Sequence, residues 1–459
     1  MSDPFDPVDQ WLGTDIELLP PQAGAFERVH RRARRRKAVV AWSTATAVAV
    51  VVAGAVVVPQ AVSSLLTNHG GNPEQVPVAS GTQTSQPTRS QSTSPAPGHR
   101  PTKGQPGPSH LAITGSNQPP TPGIAPSSVT FVNKGTVGAV IGETTSGCSL
   151  GCEAIAATAD YGRTWTKADA PRAGPPDGNS GVSQIRFLEE TNGWAYGPGL
   201  YVTHDGGASW AKATGVNGRV IDLATVNGSA YAVVASCTGA GSDYAAGCTR
   251  FALYTSPYTS DSFQPVPGAS GRGQEEPGGL QLTRQNGYLL AGNVLYTGSP
   301  DGGSWQPITI SSGTVPACLA TKGGVARGEP GLLAPLLAND LYLLCQPAGG
   351  GGGSLYTSTD SGATWQFVGH VKARGFGTSL AIAPNSRTLV LATTAGIYYS
   401  SDGRHWLQAS LSGKAPPRGF SYIGMTTSGK GVAVPASTSS TAIYVTVNGG
   451  KTWRPRPIA

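Results

Sequence analysis

The chain has 459 residues, a formal net charge of +7, and charged residues make up only 12% of it. The charge is thinly spread: residues 1–37 contribute +1, the segment to 126 +2 and the remainder +4. No basic stripe with interleaved aromatics results, which argues against a nucleic-acid partner.

Residues 1–37 read as a cytoplasmic basic tail. Asp3, Asp6, Asp9, Asp15, Glu17 and Glu27 precede the cluster Arg31-Arg-Ala-Arg-Arg-Arg-Lys37. Trp11-Leu12 and Ile16 to Leu19 are the few apolar groups in the first 30 residues. They are either part of an unstructured tail or a docking peptide for a cytoplasmic partner. Residues 38–58 hold no charge. At about 1.5 Å per residue they span roughly 31 Å, the thickness of a bilayer core, and predict a single transmembrane helix. The basic cluster ahead of it puts the N-terminus inside and the rest of the chain outside. The run exceeds a leader's apolar region and no clean Ala-x-Ala site follows, so an uncleaved anchor is expected. Residues 59–126 are rich in Pro, Ser, Thr, Gly and Gln. Such a composition cannot bury enough surface to fold, and predicts a disordered extracytoplasmic stalk.

From residue 127 onward one signature recurs. Its copies are Thr158–Trp165, Thr203–Trp210, Ser299–Trp305, Ser358–Trp365, Ser400–Trp406 and Thr446–Trp453. Each sets an acidic or amide residue (Asp160, Asp205, Asp301, Asp360, Asp402, Asn448) before one or two glycines and a closing tryptophan. A worn seventh copy, Thr255 to Phe263, keeps Asp261 and the aromatic. The seven aromatic ends are separated by 45, 53, 42, 60, 41 and 47 residues. A period near 48 marks a propeller in which each repeat is one four-stranded blade. The expected fold is therefore all-β: a seven-bladed β-propeller over 127–459, preceded by one transmembrane helix and a disordered stalk. The motif itself reads as structural. Asp can accept hydrogen bonds from turn amides, Gly supplies left-handed backbone, and Trp buries a large ring.

The pattern resembles the Asp-box, or BNR repeat, of sialidase-like β-propellers, whose wider family includes sialidases, the photosystem assembly factor Ycf48 and the sortilin ectodomain. The resemblance implies that each motif lies between the third and outermost strands of a blade, away from the usual ligand face.

All six cysteines follow the apolar run, which fits disulfides in an oxidising compartment. The blade map pairs Cys148 with Cys152 across a hairpin tip of blade one and Cys237 with Cys248 across one of blade three. It places Cys318 and Cys345 on neighbouring inner strands of blade five. Their spacings do not suit a metal site, and no cofactor is implied.

Catalytic signatures are thin. The resemblance to sialidases implies an arginine triad, one member in an Arg-Ile-Pro motif, with a Tyr–Glu pair and an acidic Asp. The nearest match here is Arg186, in Gln-Ile-Arg-Phe. Other glycosidases need two opposed carboxylates. Asp177, Asp222, Glu275 and Glu276 exist, but nothing in the sequence brings two together. Gly450-Lys451-Thr452 mimics the end of a phosphate loop without its first glycine. An enzyme predicts converging Arg and carboxylate groups over the central tunnel; a binding module predicts aromatic or mixed polar groups there.

Extra length falls in the blade-to-blade and middle-strand loops Lys167–Gly181, Gly239–Gly247, Pro265–Gly279, Ala348–Gly353 and Ser410–Gly419. These share one face of a propeller, and loops carry function more often than scaffolds do. The candidate binding face is Arg172, Asp177, Arg272, Glu275, Glu276, Lys414 and Arg418. The expectation is a membrane-anchored, non-catalytic module that binds a glycan or protein of the cell envelope. The alternatives are a sialidase-type glycoside hydrolase and a transmembrane sensor signalling through its N-terminal tail.

Overall fold

A computed structural model describes residues 123–458 apart from 145–152, 175–179, 238–247, 273–276, 311, 320, 323–324, 327–330 and 385. Among the described residues seven four-stranded antiparallel blades follow one another along the chain, with a small two-stranded hairpin, Thr321–Lys322 with Val325–Ala326, in the crossing from blade four to blade five. Blades one to seven occupy residues 124–168, 184–212, 219–272, 277–307, 331–371, 377–408 and 420–457. Within each, the strands lie in chain order. From blade one through blade seven, each first strand contacts the first strand of the next blade, so these strands line the axis, and the fourth strands form the rim. The first strand of blade one begins at Ile124, ahead of the boundary expected at 127. No helix among the described residues is long and apolar enough to cross a membrane. The tail, the apolar run 38–58 and the stalk to residue 122 lie outside the described residues.

Burial explains the strand order. The first strands of blades six and seven, Gly377–Ile382 and Phe420–Met425, are buried at every residue. The rim strands of blades two, four and six are two residues long and exposed. Short rim strands limit the open sheet edge. Blades five and seven cover theirs: Ser312–Gly313 and Ser410–Leu411, in the incoming crossings, pair in parallel with Thr364–Val371 and Thr452–Pro457.

Each signature motif forms the turn between the third and fourth strands. Asp160 Oδ1 accepts from the Thr158 hydroxyl (2.8 Å) and the Arg163 and Thr164 amides (both 2.9 Å), while Oδ2 accepts from the Thr164 hydroxyl (2.7 Å). Asp205 and Asp360 repeat the scheme with Ser209 and Thr364. In the shortened sixth turn, His405 Nδ1 takes the hydroxyl's place on Asp402 Oδ2 (2.6 Å). Asn448 keeps the Oδ1 bonds, and its Nδ2 donates to Thr452 Oγ1 (2.9 Å). Asp301 departs: its Oδ1 accepts from Asn227 Nδ2 of blade three (2.8 Å). In the turns after Asp160, Asp205, Asp301, Asp360 and Asn448 the next two residues are left-handed, as at Gly206 and Gly207 (φ 76° and 93°), so a glycine pair fits there best; the shortened sixth turn has only Gly403 so.

The closing aromatics sit between blades. Seven hydrophobic clusters mark the seven blade boundaries, and each takes the aromatic of the later blade. Trp165 packs against blade seven, Trp210 against one, Phe263 against two, Trp305 against three, Trp365 against four, Trp406 against five and Trp453 against six. Among the described residues no strand is exchanged where the ring closes. Side chains and a few main-chain bonds hold that seam instead. Tyr161 occupies a left-handed position (φ 63°) where other motifs carry glycine or serine. Its hydroxyl accepts from the Gly431 amide (2.9 Å) and lies 2.7 Å and 2.8 Å from the carbonyls of Gly431 and Thr446 in blade seven.

Disulfides join Cys237 to Cys248 and Cys318 to Cys345. The first staples register partners on the middle strands of blade three. The second differs from expectation in place: Cys345 ends the second strand of blade five, but Cys318 lies in a turn of the crossing from blade four. Cys148 and Cys152 lie outside the described residues. A further difference concerns the 265–279 loop, most of which is strand: Gln264–Arg272 is the rim strand of blade three.

Two outcomes follow. Tyr161→Phe leaves a buried Gly431 amide without its acceptor and should cost about 1–3 kcal/mol in denaturant unfolding; an unchanged midpoint would show that the seam does not depend on the hydroxyl. Partial burial pushes the Asp160, Asp205 and Asp360 carboxyls up, but the turn amides and hydroxyls outweigh it and hold them below the usual 3.8. The His405 amide and imidazole, with the Arg404 amide, hold Asp402 lower still. Groups with depressed folded pKa values stabilise the fold above 3.8 and lose that contribution as pH falls through the folded values. Thermal stability should therefore drop below about pH 4, and replacing all four by asparagine, as at position 448, should flatten that drop.

Candidate functional site

Polar groups on the motif-turn face are largely used between blades. Asn133 donates to Glu190, His204 bonds Asp261 (2.8 Å), Asn227 bonds Asp301 (2.8 Å) and Asn286 bonds Asn339 (2.7 Å). This lattice links blades one to five in sequence. His204 and His405 thus act in the turns.

The axis is also stitched. Ser128 Oγ accepts from the Ile185 amide (3.3 Å) and Thr130 Oγ1 from Phe187 (3.2 Å). Asp222 Oδ2 accepts from Leu280 (2.7 Å), and Thr378 donates to the Phe420 carbonyl (2.7 Å). Each bond joins the first strands of adjacent blades. Arg186, 3% exposed, hydrogen-bonds Tyr196 and acts electrostatically on Tyr422. Blades two and seven are not neighbours, so both groups face the axis. Burial raises the Tyr196 phenol well above its usual value; Arg186 opposes the rise and Asp222 adds to it. Among the described residues the inner strands thus hold Arg186, Arg219 and Asp222 with Tyr196, Tyr422 and Gln281, all buried. Arg186 cannot reach a solvent-borne carboxylate without breaking this packing, and Asp222 is occupied by the neighbouring backbone.

An open cleft of about 670 Å³ lies on the other face, where blade five meets blade six. Its walls are the middle-strand loop of blade five, the end of that blade's rim strand with the crossing that follows, and Tyr398 and Gln408 of blade six. Local sequence builds it. Gly349 to Gly353 are five consecutive glycines, and Gly350, Gly351 and Gly352 are all left-handed (φ 75°, 92° and 104°). A Cβ on Gly352 would stand 1.8 Å from the Val371 carbonyl. The loop can therefore lie flat against the crossing, where the Gly351 amide donates to the Gly375 carbonyl (2.9 Å). On the far side the Arg374 amide donates to the Tyr398 hydroxyl (3.0 Å). His370, Lys372 and Arg374 stand at alternate positions, all exposed, with His370 Nδ1 3.4 Å from Ser354 Oγ. The apolar lining groups Cys345, Val371, Ala373 and Tyr398 are buried and form the floor.

Of the residues singled out from sequence, the four that are described, Arg172, Arg272, Lys414 and Arg418, lie outside the cleft. Arg172 is exposed in the crossing from blade one, and Lys414 and Arg418 are exposed in the crossing from blade six. Arg272 ends a rim strand opposite Arg250, rather than lying in a loop. Asp177, Glu275 and Glu276 lie outside the described residues. The cleft's cations went unnoticed because they continue a rim strand. The visible signal was the alternation His370-Val-Lys372-Ala-Arg374 beside a glycine run. Among the described residues no three His, Cys, Asp or Glu side chains converge on a metal-sized site.

No family model matches the chain, and no curated protein matches it. Solved structures do. YCF48 bound to a D1 peptide is 17% identical, with 71% of this chain and 94% of that one covered and a TM-score of 0.46. An ancestral GH74 enzyme is 14% identical, covering 74% of this chain and 47% of that one, with a TM-score of 0.47. Oligogalacturonate lyase from Vibrio parahaemolyticus is 9% identical, covering 72% and 92%, with a TM-score of 0.47.

Gly352→Ala should destabilise blade five by about 2 kcal/mol or more, from the forced left-handed backbone and the clash. Gly351 has open space around its Cβ position, so Gly351→Ala should cost less. Equal losses in the two variants, measured by denaturant unfolding, would contradict the tight approach.

Proposed function

We propose that this chain is a membrane-anchored, extracytoplasmic recognition module. The seven-bladed ring presents a ligand face built from its blade crossings and middle-strand loops. The anchor rests on the uncharged run 38–58 and the basic cluster before it, and the repeated turns are read as Asp-boxes because their side-chain oxygens gather turn amides and hydroxyls in one scheme. The observation that carries the binding reading is the cleft between blades five and six. It is open, mixed in character and edged by exposed cations, and it sits opposite the face whose polar groups are committed between blades.

The sialidase reading lacks support at the axis, where a hydrolase would be expected to present its arginines. Among the described residues Arg186, whose sequence context comes nearest, and Arg219 on the first strand of blade three are both buried, and Arg186 acts on Tyr196 and Tyr422.

The test uses the full chain in detergent micelles. It is applied to a glycan array that includes sialosides and cell-wall fragments, and in parallel is cross-linked in envelope extract. Ser354→Trp blocks the cleft without changing charge. Selective binding that this variant loses is the expected result. A blank array with no cross-linked partner would overturn the recognition reading, and turnover of a sialoside would restore the hydrolase.

A further inference from the structure

We infer that the cleft between blades five and six is selective for an anionic glycan, a polyhydroxylated chain bearing carboxylate or phosphodiester groups. This rests on the recognition reading above and specifies its ligand.

The first reason is charge separation. Between residues 331 and 458 the carboxylates are Asp340, Asp360 and Asp402. Asp340 lies between the first and second strands of blade five, and the other two lie in third-to-fourth-strand turns. All three belong to the motif-turn face. The opposite face of blades five to seven carries His370, Lys372, Arg374, Lys414 and Arg418, and its described residues include no carboxylate. Among the described residues of this face, an anion meets attraction without a competing acid. Arg374 adds a planar fork suited to carboxylate or phosphate oxygens.

The second reason is the lining. Protein partners usually anchor an aromatic or aliphatic side chain in a desolvated pocket. Here the large apolar groups are buried as floor, and the accessible groups are cations, the Ser354 hydroxyl, the Gln408 amide, glycine backbone and one small apolar ring, Pro347. That set offers hydrogen bonds to hydroxyls and charge to an acid. The chain's own stalk is a poor occupant, since Arg89, Arg100 and Lys103 outnumber Glu74.

The test measures binding to the full chain in detergent micelles by calorimetry. The probes are a uronic-acid oligomer, a phosphodiester-linked glycerol polymer, a neutral glucan of similar length and poly-glutamate. At least one of the two anionic probes of glycan type should bind, more weakly as salt rises. The pair of substitutions Lys372→Ala and Arg374→Ala should weaken that binding on the order of ten- to hundred-fold. Both side chains are exposed, so the unfolding midpoint should hold, and Lys451→Ala on the motif-turn face should change nothing. The two anionic arms distinguish carboxylate from phosphate. Equal binding of the neutral glucan, tighter binding of poly-glutamate, or indifference to the paired substitution would each overturn the inference. So would silence from all four probes; if Ser354→Trp still abolished capture of another ligand, recognition would survive and only the anionic-glycan assignment would fall.

Discussion

The wedge between blades is the interaction on which the ring depends. A blade is a small sheet with two faces to cover, and it cannot cover them alone. Each repeat solves this by ending its third strand in a turn that delivers an aromatic ring to the preceding blade. Trp305, Trp365 and Trp453 are at most 1% exposed. The ring is a hydrophobic mass placed by a hydrogen-bonded turn, so the acid that holds the turn and the aromatic that fills the boundary act as one device. Where the acid is spent differently, at Asp301, it bonds the preceding blade directly, and the aromatic still lands in its cluster.

A ring of such wedges must also close and fill its centre. Closure falls to Tyr161, whose left-handed backbone is tolerated because its hydroxyl engages main chain of blade seven. The centre is filled by polar side chains that bind the backbone of the next inner strand. These bonds explain why buried Ser128, Thr130, Asp222 and Thr378 sit where an apolar core would be expected. Packing and hydrogen bonding thus share each boundary, aromatic toward the rim and polar toward the axis.

The two faces then differ in kind. One is knitted from blade to blade by Asn, His, Ser and carboxylate groups. The other is left to crossings whose lengths vary, and there a glycine run and a cationic strand end leave an open cleft. Loops held on a packed scaffold are where binding residues are most often found.

The number of blades, the position of every turn and the pairing of Cys237 with Cys248 were legible in the sequence, because each depends on residues close together in one repeat. Period, turn chemistry and short spacing are local properties. The cleft was not legible. Its walls come from Gly349–Gly353, from His370 to Arg374 and from Tyr398 and Gln408, which meet only once two blades are packed side by side. The burial of Arg186 was equally hidden, since its neighbours come from its own blade and across the axis from blade seven. Sequence alone determined the repeat, because a repeat is built from neighbours in the chain; tertiary structure decided the candidate site, because that site is built from neighbours in space.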